Sequence, residues 1–345
     1  MRFLVLAAAA VSAASIGFAF SREARAEAPP PISGPFEHGN LAIYFVHGQS
    51  APGPVPLTLQ EALAKETVRV DETGSVNELK IENLGDEDVY IQSGDIVKGG
   101  RQDRVLTVSF ILPKKSGAVP VTSYCVEHGR WSKRGVEDAT KFGSSANAIP
   151  SRVAKLAMKT RPASGPSDSY AETGQRQRAV WNEVARTQEK LSAGVAAPVA
   201  SPMSGSSLEL SLENEKLKET RAGFMKALEG KADADDILGF VFAVNGRINS
   251  ADVYPSNGLF RKMWAKLLTA AVTEAVGEKA AASENAAPPP AEAIRAFLAD
   301  AEKGTPDAQK IGALAREEVR DADKALYVEA ARADGQWVHR NYLAK

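Results

Sequence analysis

LGFVFAVNGRINSADVY, residues 238–254, joins two strand-like runs through Asn245-Gly246. Both central residues of a type I′ turn need positive φ, and Asn-Gly adopts it most readily. The stretch therefore reads as a β-hairpin. Working outward, residues 41–46, 68–70, 78–83, 89–92, 105–112 and 119–126 have the same short, β-branched or aromatic character. The alternation in 78–83 marks one buried face, and residues 71–75, with Gly74, read as the turn from 68–70. Residues 325–329 and 336–343 close the chain as another hairpin around Asp334-Gly335. Short strands joined by brief turns point to an α+β fold, a mainly antiparallel sheet or sandwich in a single domain, and not to a doubly wound sheet.

Helices are expected between these strands. Thr58 and Glu61 form a capping box for a short helix ending near Leu63. Val180, Trp181, Val184 and Leu191 recur at helical spacing in 175–191. Residues 208–228 and 258–276 carry apolar stripes through Leu217, Phe224 and Leu228, and through Leu259, Met263 and Leu267. Residues 291–320 read as one or two charged helices. Residues 132–175, rich in Ser, Gly, Pro, Lys and Arg, read as a long loop region with one short helix at 151–158, and 279–291 as an exposed linker.

The N-terminus reads as an export signal. Arg2 precedes an apolar run from Phe3 to Phe20, and Ala24-Arg25-Ala26 fits a small-x-small cleavage pattern. The run is near membrane-spanning length, but its alanine and serine content and the Ala-x-Ala ending favour cutting after Ala26. The mature chain is then expected in the periplasm or outside the cell, without a stable membrane span. Residues 27–39 read as a proline-rich tether and 40–345 as the domain. Loss of Arg2, Arg22, Arg25 and Glu23 leaves 39 basic against 42 acidic residues. That balance argues against a nucleic-acid partner. A single cysteine rules out an internal disulfide, so the core must hold the fold.

Two clusters carry the chemistry: Gly99-Gly100-Arg101-Gln102-Asp103-Arg104, and Cys125-Val126-Glu127-His128-Gly129-Arg130-Trp131. Glycines let a backbone approach a ligand, arginines offer planar forks to anions, and carboxylates brace arginines or move protons. The first cluster lacks P-loop spacing. Cys125 with His128 as base would require the strand to turn between them, and a lone cysteine ending an apolar run is more often packing. His38, His47, His128 and His339 lack the spacing of a metal site, so no metal is expected. No cofactor is named by these residues.

The ordered pair of clusters resembles the bacterial domain family associated with ADP-ribosylglycohydrolases and rhodanese-phosphatases. The resemblance extends over residues 40–276 and to the final hairpin. Residues 57–64 are similar to the family's early helix, Gln177 with Trp181 to its Gln-x3-Trp helix, and 239–252 to its Gly-apolar-hairpin-Asp segment. The helix carrying Trp264, Leu267 and Leu268 matches as well. The family has no established activity to carry over; its name implies genomic company with ADP-ribose and phosphate-ester chemistry, which is association and not mechanism. Its motif does not require a histidine at His128, which moves weight from Cys125 to Glu127, Arg130 and Arg104. A signal peptide sets this chain apart from typical members and from cytosolic nucleotide metabolism.

The leading expectation is an exported protein that binds a small anionic or polar ligand, phosphate- or ribose-containing. Arg104 and Arg130 would hold the anion, the Gly99-Gly100 turn would donate N–H groups, and Asp103 or Glu127 would brace the arginines. Arg101, Gln102 and Trp131 complete the ligand set, and Glu127 is the one candidate catalytic base, for hydrolysis or transfer. The competing expectation is a non-catalytic envelope protein whose motif is a buried salt-bridge network.

Overall fold

A computed structural model describes residues 29–159, 170–279, 286–311 and 313–345. The expected export signal, residues 1–26, lies outside these residues. The first strands are β1 (Ile32–His38), β2 (Leu41–His47), β3 (Leu57–Thr58), β4 (Val68–Glu72), β5 (Glu78–Asn83) and β6 (Val89–Ile91). β7 (Asp95–Gly99), β8 (Arg104–Leu106), β9 (Phe110–Leu112), β10 (Gly117–Cys125) and β11 (Phe142–Ala148) follow. The last six are β12 (Ile237–Val244), β13 (Arg247–Val253), β14 (Thr305–Ile311), β15 (Ala315–Ala322), β16 (Ala325–Arg332) and β17 (Trp337–Ala344). The helices are α1 (Leu59–Ala64), α2 (Arg152–Lys159), α3 (Tyr170–Gly194), α4 (Leu208–Leu212), α5 (Glu215–Leu228), α6 (Asn257–Gly277) and α7 (Ala291–Ala301).

An eight-stranded sheet runs β1-β2-β12-β13-β17-β16-β15-β14, and a six-stranded one runs β11-β7-β8-β10-β5-β4. A small third sheet, β3-β6-β9, holds the one parallel pair among the described strands. The α+β expectation therefore holds. The hairpin at 238–254 forms as its turn demands: Asn245 and Gly246 have φ of 51° and 72°, and β12 pairs antiparallel with β13.

Strand alternation explains the layers. Leu41, Ile43 and Phe45 of β2 join Phe240 and Phe242 in a core shared with α5 and α6, where Phe45 and Phe240 meet Trp264 edge-on. Ala42, Tyr44 and Val46 face the other way and pack with Ile294 and Leu298 of α7. The six-stranded sheet buries Val70, Leu79, Ile81, Val97, Leu106 and Val121 in a separate cluster, while Ile96, Val105 and Tyr124 join the first core. No helix among the described residues is long and apolar enough to cross a membrane.

Four expectations are corrected. The tether at 27–39 contains β1, an edge strand paired with β2 and irregular around Gly34-Pro35, where a proline is tolerated because an edge needs fewer ladder donors. Residues 291–320 yield one helix, α7, and then two strands; β15 pairs along its whole length with β16, so an available sheet edge outweighs helical propensity. The long loop at 132–175 contains its one expected short helix as α2, but also β11 and the start of α3, with 160–169 outside the described residues. The helix at 208–228 is broken at Glu213, after which Asn214 caps α5 by accepting from the Leu217 N–H.

Gly239 shows how closely β12 and β13 approach. A Cβ there would sit 2.3 Å from the Asp252 carbonyl oxygen and 2.7 Å from Val253 Cα, both backbone atoms with little room to yield. Gly239→Ala is expected to cost about 1–3 kcal/mol, read as a lower urea midpoint at unchanged m-value.

Candidate functional site

Three chain segments converge at the end of β10. The β7–β8 hairpin supplies residues 99–104, with Val97 opposite Arg104. β10 ends with Cys125 opposite Arg104, and the Val126 N–H donates to the Asp103 carbonyl. The Leu208 N–H then donates to the Val126 carbonyl, which brings in the start of α4. The tight hairpin requires Gly100: its φ is +52°, and a Cβ would lie 2.2 Å from the Phe142 ring.

Asp103 and Glu127 are both fully buried. Arg130 forks onto Glu127, with Nε to Oε1 and Nη2 to Oε2 at 2.7 Å each. Arg134 forks onto Asp103 at 2.8 and 2.9 Å and lies 3.5 Å from Glu127 Oε2. Burial works against the Arg134 charge, but the Asp103 bonds and the Glu137 and Glu127 carboxylates raise its pKa above the ordinary arginine value. Hydroxyls complete the shell: Ser204 donates to Glu127 Oε1 at 2.5 Å and Ser207 to Asp103 Oδ2 at 2.7 Å. The Asp103 N–H donates to Glu127 Oε2 and the Gly99 N–H to Asp103 Oδ1.

The Gly99-Gly100 turn thus uses its N–H groups inside the fold. Gly99 donates to Asp103 and Gly100 to the Lys141 carbonyl, while their own carbonyls accept from Arg130 at 3.3 and 2.9 Å. The turn presents carbonyl oxygens to an arginine, and not donors to an anion. Gln102 likewise contributes its carbonyl, to Arg104 Nη1. Arg104 is fully buried, 3.3 Å from Glu72, with Nε unpartnered among the described residues. Its guanidinium lies 5.6 Å from the Trp131 ring centroid, and that of Arg101 lies 5.4 Å away. Trp131 is 42% exposed, the open edge of the cluster.

Cys125 and His128 do not pair. Cys125 is buried, its thiol pushed up to about 11 mainly by burial, and its Sγ faces the Val76 carbonyl at 3.6 Å. The His128 ring packs edge-on against Trp181. Gln177 and Trp181, one turn apart on α3, read the backbone of the motif. Gln177 accepts from the Cys125 N–H and donates to its carbonyl, and Trp181 Nε1 donates to the Glu127 carbonyl.

A model of the ARPP-1 domain, the ARG and Rhodanese-Phosphatase-superfamily-associated Protein domain, matches residues 31–343. The chain belongs to this family. No curated protein and no solved structure matches it.

In this ARPP-1 domain several participants went unnoticed in the sequence. Arg134 sits in a stretch that reads as loop, and Glu72, Ser204 and Glu137 have no local signature. Ser207 is the exception, since a serine before an apolar helix start is an N-cap signal, and its Oγ accepts from the Leu210 N–H. The scattered His339 proves central to a second network. Ser109 Oγ lies 3.0 Å from His339 Nδ1, and His339 Nε2 lies 3.0 Å from Asp252 Oδ1. Burial opposes the Asp252 charge, yet His339, Lys155 and Asn341 hold its pKa below the ordinary carboxylate value. Ser109, His339 and Asp252 resemble a hydrolytic relay in order, but none is more than 3% exposed. Within the fold they lock the start of β9 to β13 and β17.

Glu209, the second residue of α4, is 1% exposed and receives Ser145 and Asn147 on Oε1, while Oε2 has no partner among the described residues. Burial is the main cause that raises its pKa to about 7.

Two outcomes follow from this geometry. Arg134→Met strands Asp103 in a buried site and is expected to cost about 3–5 kcal/mol, measured by denaturant unfolding; an unchanged midpoint would refute the network's structural weight. A raised carboxyl pKa contributes stability that is present below the unfolded value and lost as pH rises through 7. Glu209→Gln should therefore abolish a loss on the order of 2–3 kcal/mol between pH 4.5 and 8, seen by comparing unfolding of the two proteins across that range.

Proposed function

We propose that the protein is an exported ligand-binding domain, and that a small anionic compound with a flat, ring-bearing portion docks on the Trp131 face of the buried network. The carrying observation is the division of labour around Trp131. Behind it Asp103 and Glu127 are saturated by Arg130, Arg134, Ser204 and Ser207. In front of it an exposed indole is flanked by Arg101, whose guanidinium has no carboxylate partner among the described residues. An indole beside a cation suits a planar group attached to phosphate, because the ring stacks while the guanidinium pairs with oxygen. In this reading Arg101 and Trp131 contact the ligand, and Arg130, Asp103 and Glu127 hold the platform. Both Glu127 oxygens accept hydrogen bonds, which favours a bracing role over that of a base.

The family name supports the choice of ligand class only by association, with ADP-ribose and phosphate-ester chemistry. Saturation of the network equally favours a second reading, a non-catalytic envelope protein in which the cluster only fixes the sheet. Titration calorimetry with AMP, ADP-ribose and inorganic phosphate separates the two. Binding of a nucleotide that Arg101→Ala and Trp131→Ala each weaken about tenfold or more, at unchanged melting temperature, is the expected result. Absence of binding across the panel, or binding indifferent to both variants, overturns the ligand-site reading and leaves the structural one.

A further inference from the structure

The outer strands of the six-stranded sheet, β4 and β11, meet through the Asp71–Lys141 bridge, so the sheet closes on itself. One apolar residue from each strand joins a shared inner cluster: Val70, Leu79, Val97, Leu106, Val121 and Phe142. Arg104 alternates onto the same face of β8 as Leu106, so its side chain points inward at one end, beneath Trp131.

Three donors at this end are unspent among the described residues. The first is Arg104 Nε, fully buried and without a partner, while Nη1 and Nη2 hold the Gln102 carbonyl and Glu72. The second is the Arg101 guanidinium, 5.4 Å from the Trp131 ring centroid. The third is the Trp131 indole N–H, whereas the indoles of Trp181 and Trp264 hold the Glu127 and Glu229 carbonyls. Glu72, the carboxylate at this end, is already engaged: Oε1 accepts from the Gly74 N–H, and Oε2 from the Arg101 N–H and Arg104. An unpaired buried donor costs free energy, and here one lies under a ring that no hydrogen bond holds in place.

We propose that Trp131 is a lid and that its ligand carries two phosphoryl groups. The indole swings off Arg104, whose Nε–H takes the deeper group while Arg101 takes the outer one. This deepens the reading of Trp131 as a ligand face and rests on it. The ring keeps its stacking role against the planar part of the ligand. Two guanidiniums at different depths suit two anionic groups better than one, because each binds oxygens of its own. Arg104 thus sets a preference for diphosphate over monophosphate, and Arg101 serves both.

Calorimetry with ADP and AMP, and fluorine NMR of the chain labelled with 5-fluorotryptophan, test it. Trp131→Phe assigns the Trp131 resonance. ADP is expected to bind about tenfold or more tightly than AMP, and Arg104→Lys, which keeps the charge but lacks the Nε–H, to erase that difference. ADP should move the Trp131 resonance and leave those of Trp181 and Trp264 in place. Equal affinities in wild type, a preference that survives Arg104→Lys, or bound ADP with an unmoved Trp131 resonance overturns the proposal and leaves the ligand face standing. Should Arg104→Lys fail to fold, the wild-type preference and resonance decide. Binding of neither nucleotide overturns the ligand face itself, and the lid with it.

Discussion

Asp103 and Glu127 are buried side by side, and a pair of carboxylates so placed is tolerable only with cations against it. Arg130 and Arg134 meet that demand, and the arrangement of neighbouring chain follows from theirs. The β7–β8 hairpin must turn tightly enough to aim two carbonyls at Arg130 and one N–H at Asp103. β10 must end where Glu127 can reach across to the hairpin. The turn before α4 must place Ser204 and Ser207 over the remaining lone pairs. Six charged or hydroxyl side chains from three segments thus fix one another, which makes the cluster a clamp between sheet and helices.

Much of the sheet was legible because turn chemistry is local. Asn245-Gly246 admits few conformations, and Thr58 with Glu61 caps a helix using only its own neighbours. Residues 305–322 were not legible for the opposite reason. Their mixed charge suits an exposed helix as well as a strand, and only the distant partner β16 decides. The same distinction runs through the site. The glycine, arginine and carboxylate types at 99–104 and 127–131 identified where charged groups meet, but not which atoms they would use. Composition cannot reveal that Gly99 and Gly100 turn their N–H groups inward, or that Arg134 reaches Asp103 across 31 residues of sequence. Nor can it bring Ser109, His339 and Asp252 together from three elements.

The separation of buried charge from exposed surface also limits the chemistry. A guanidinium locked by a bidentate carboxylate has little freedom to follow a reacting group, whereas Arg101 at the rim keeps its fork available. Cys125 completes the contrast, since burial keeps its thiol protonated and unreactive at neutral pH.

Gln177 has a further meaning for the sheet. β5 pairs with β10 only as far as Thr122, so Cys125 lies beyond the reach of that neighbour. A strand that outruns its partner leaves a donor and an acceptor open to any passing chain. The amide of Gln177 supplies one acceptor and one donor at 2.8 and 2.9 Å and so impersonates the missing strand. The helix that carries it acts as a plug against edge-to-edge association, supplied by a side chain where a neighbouring strand would otherwise be needed.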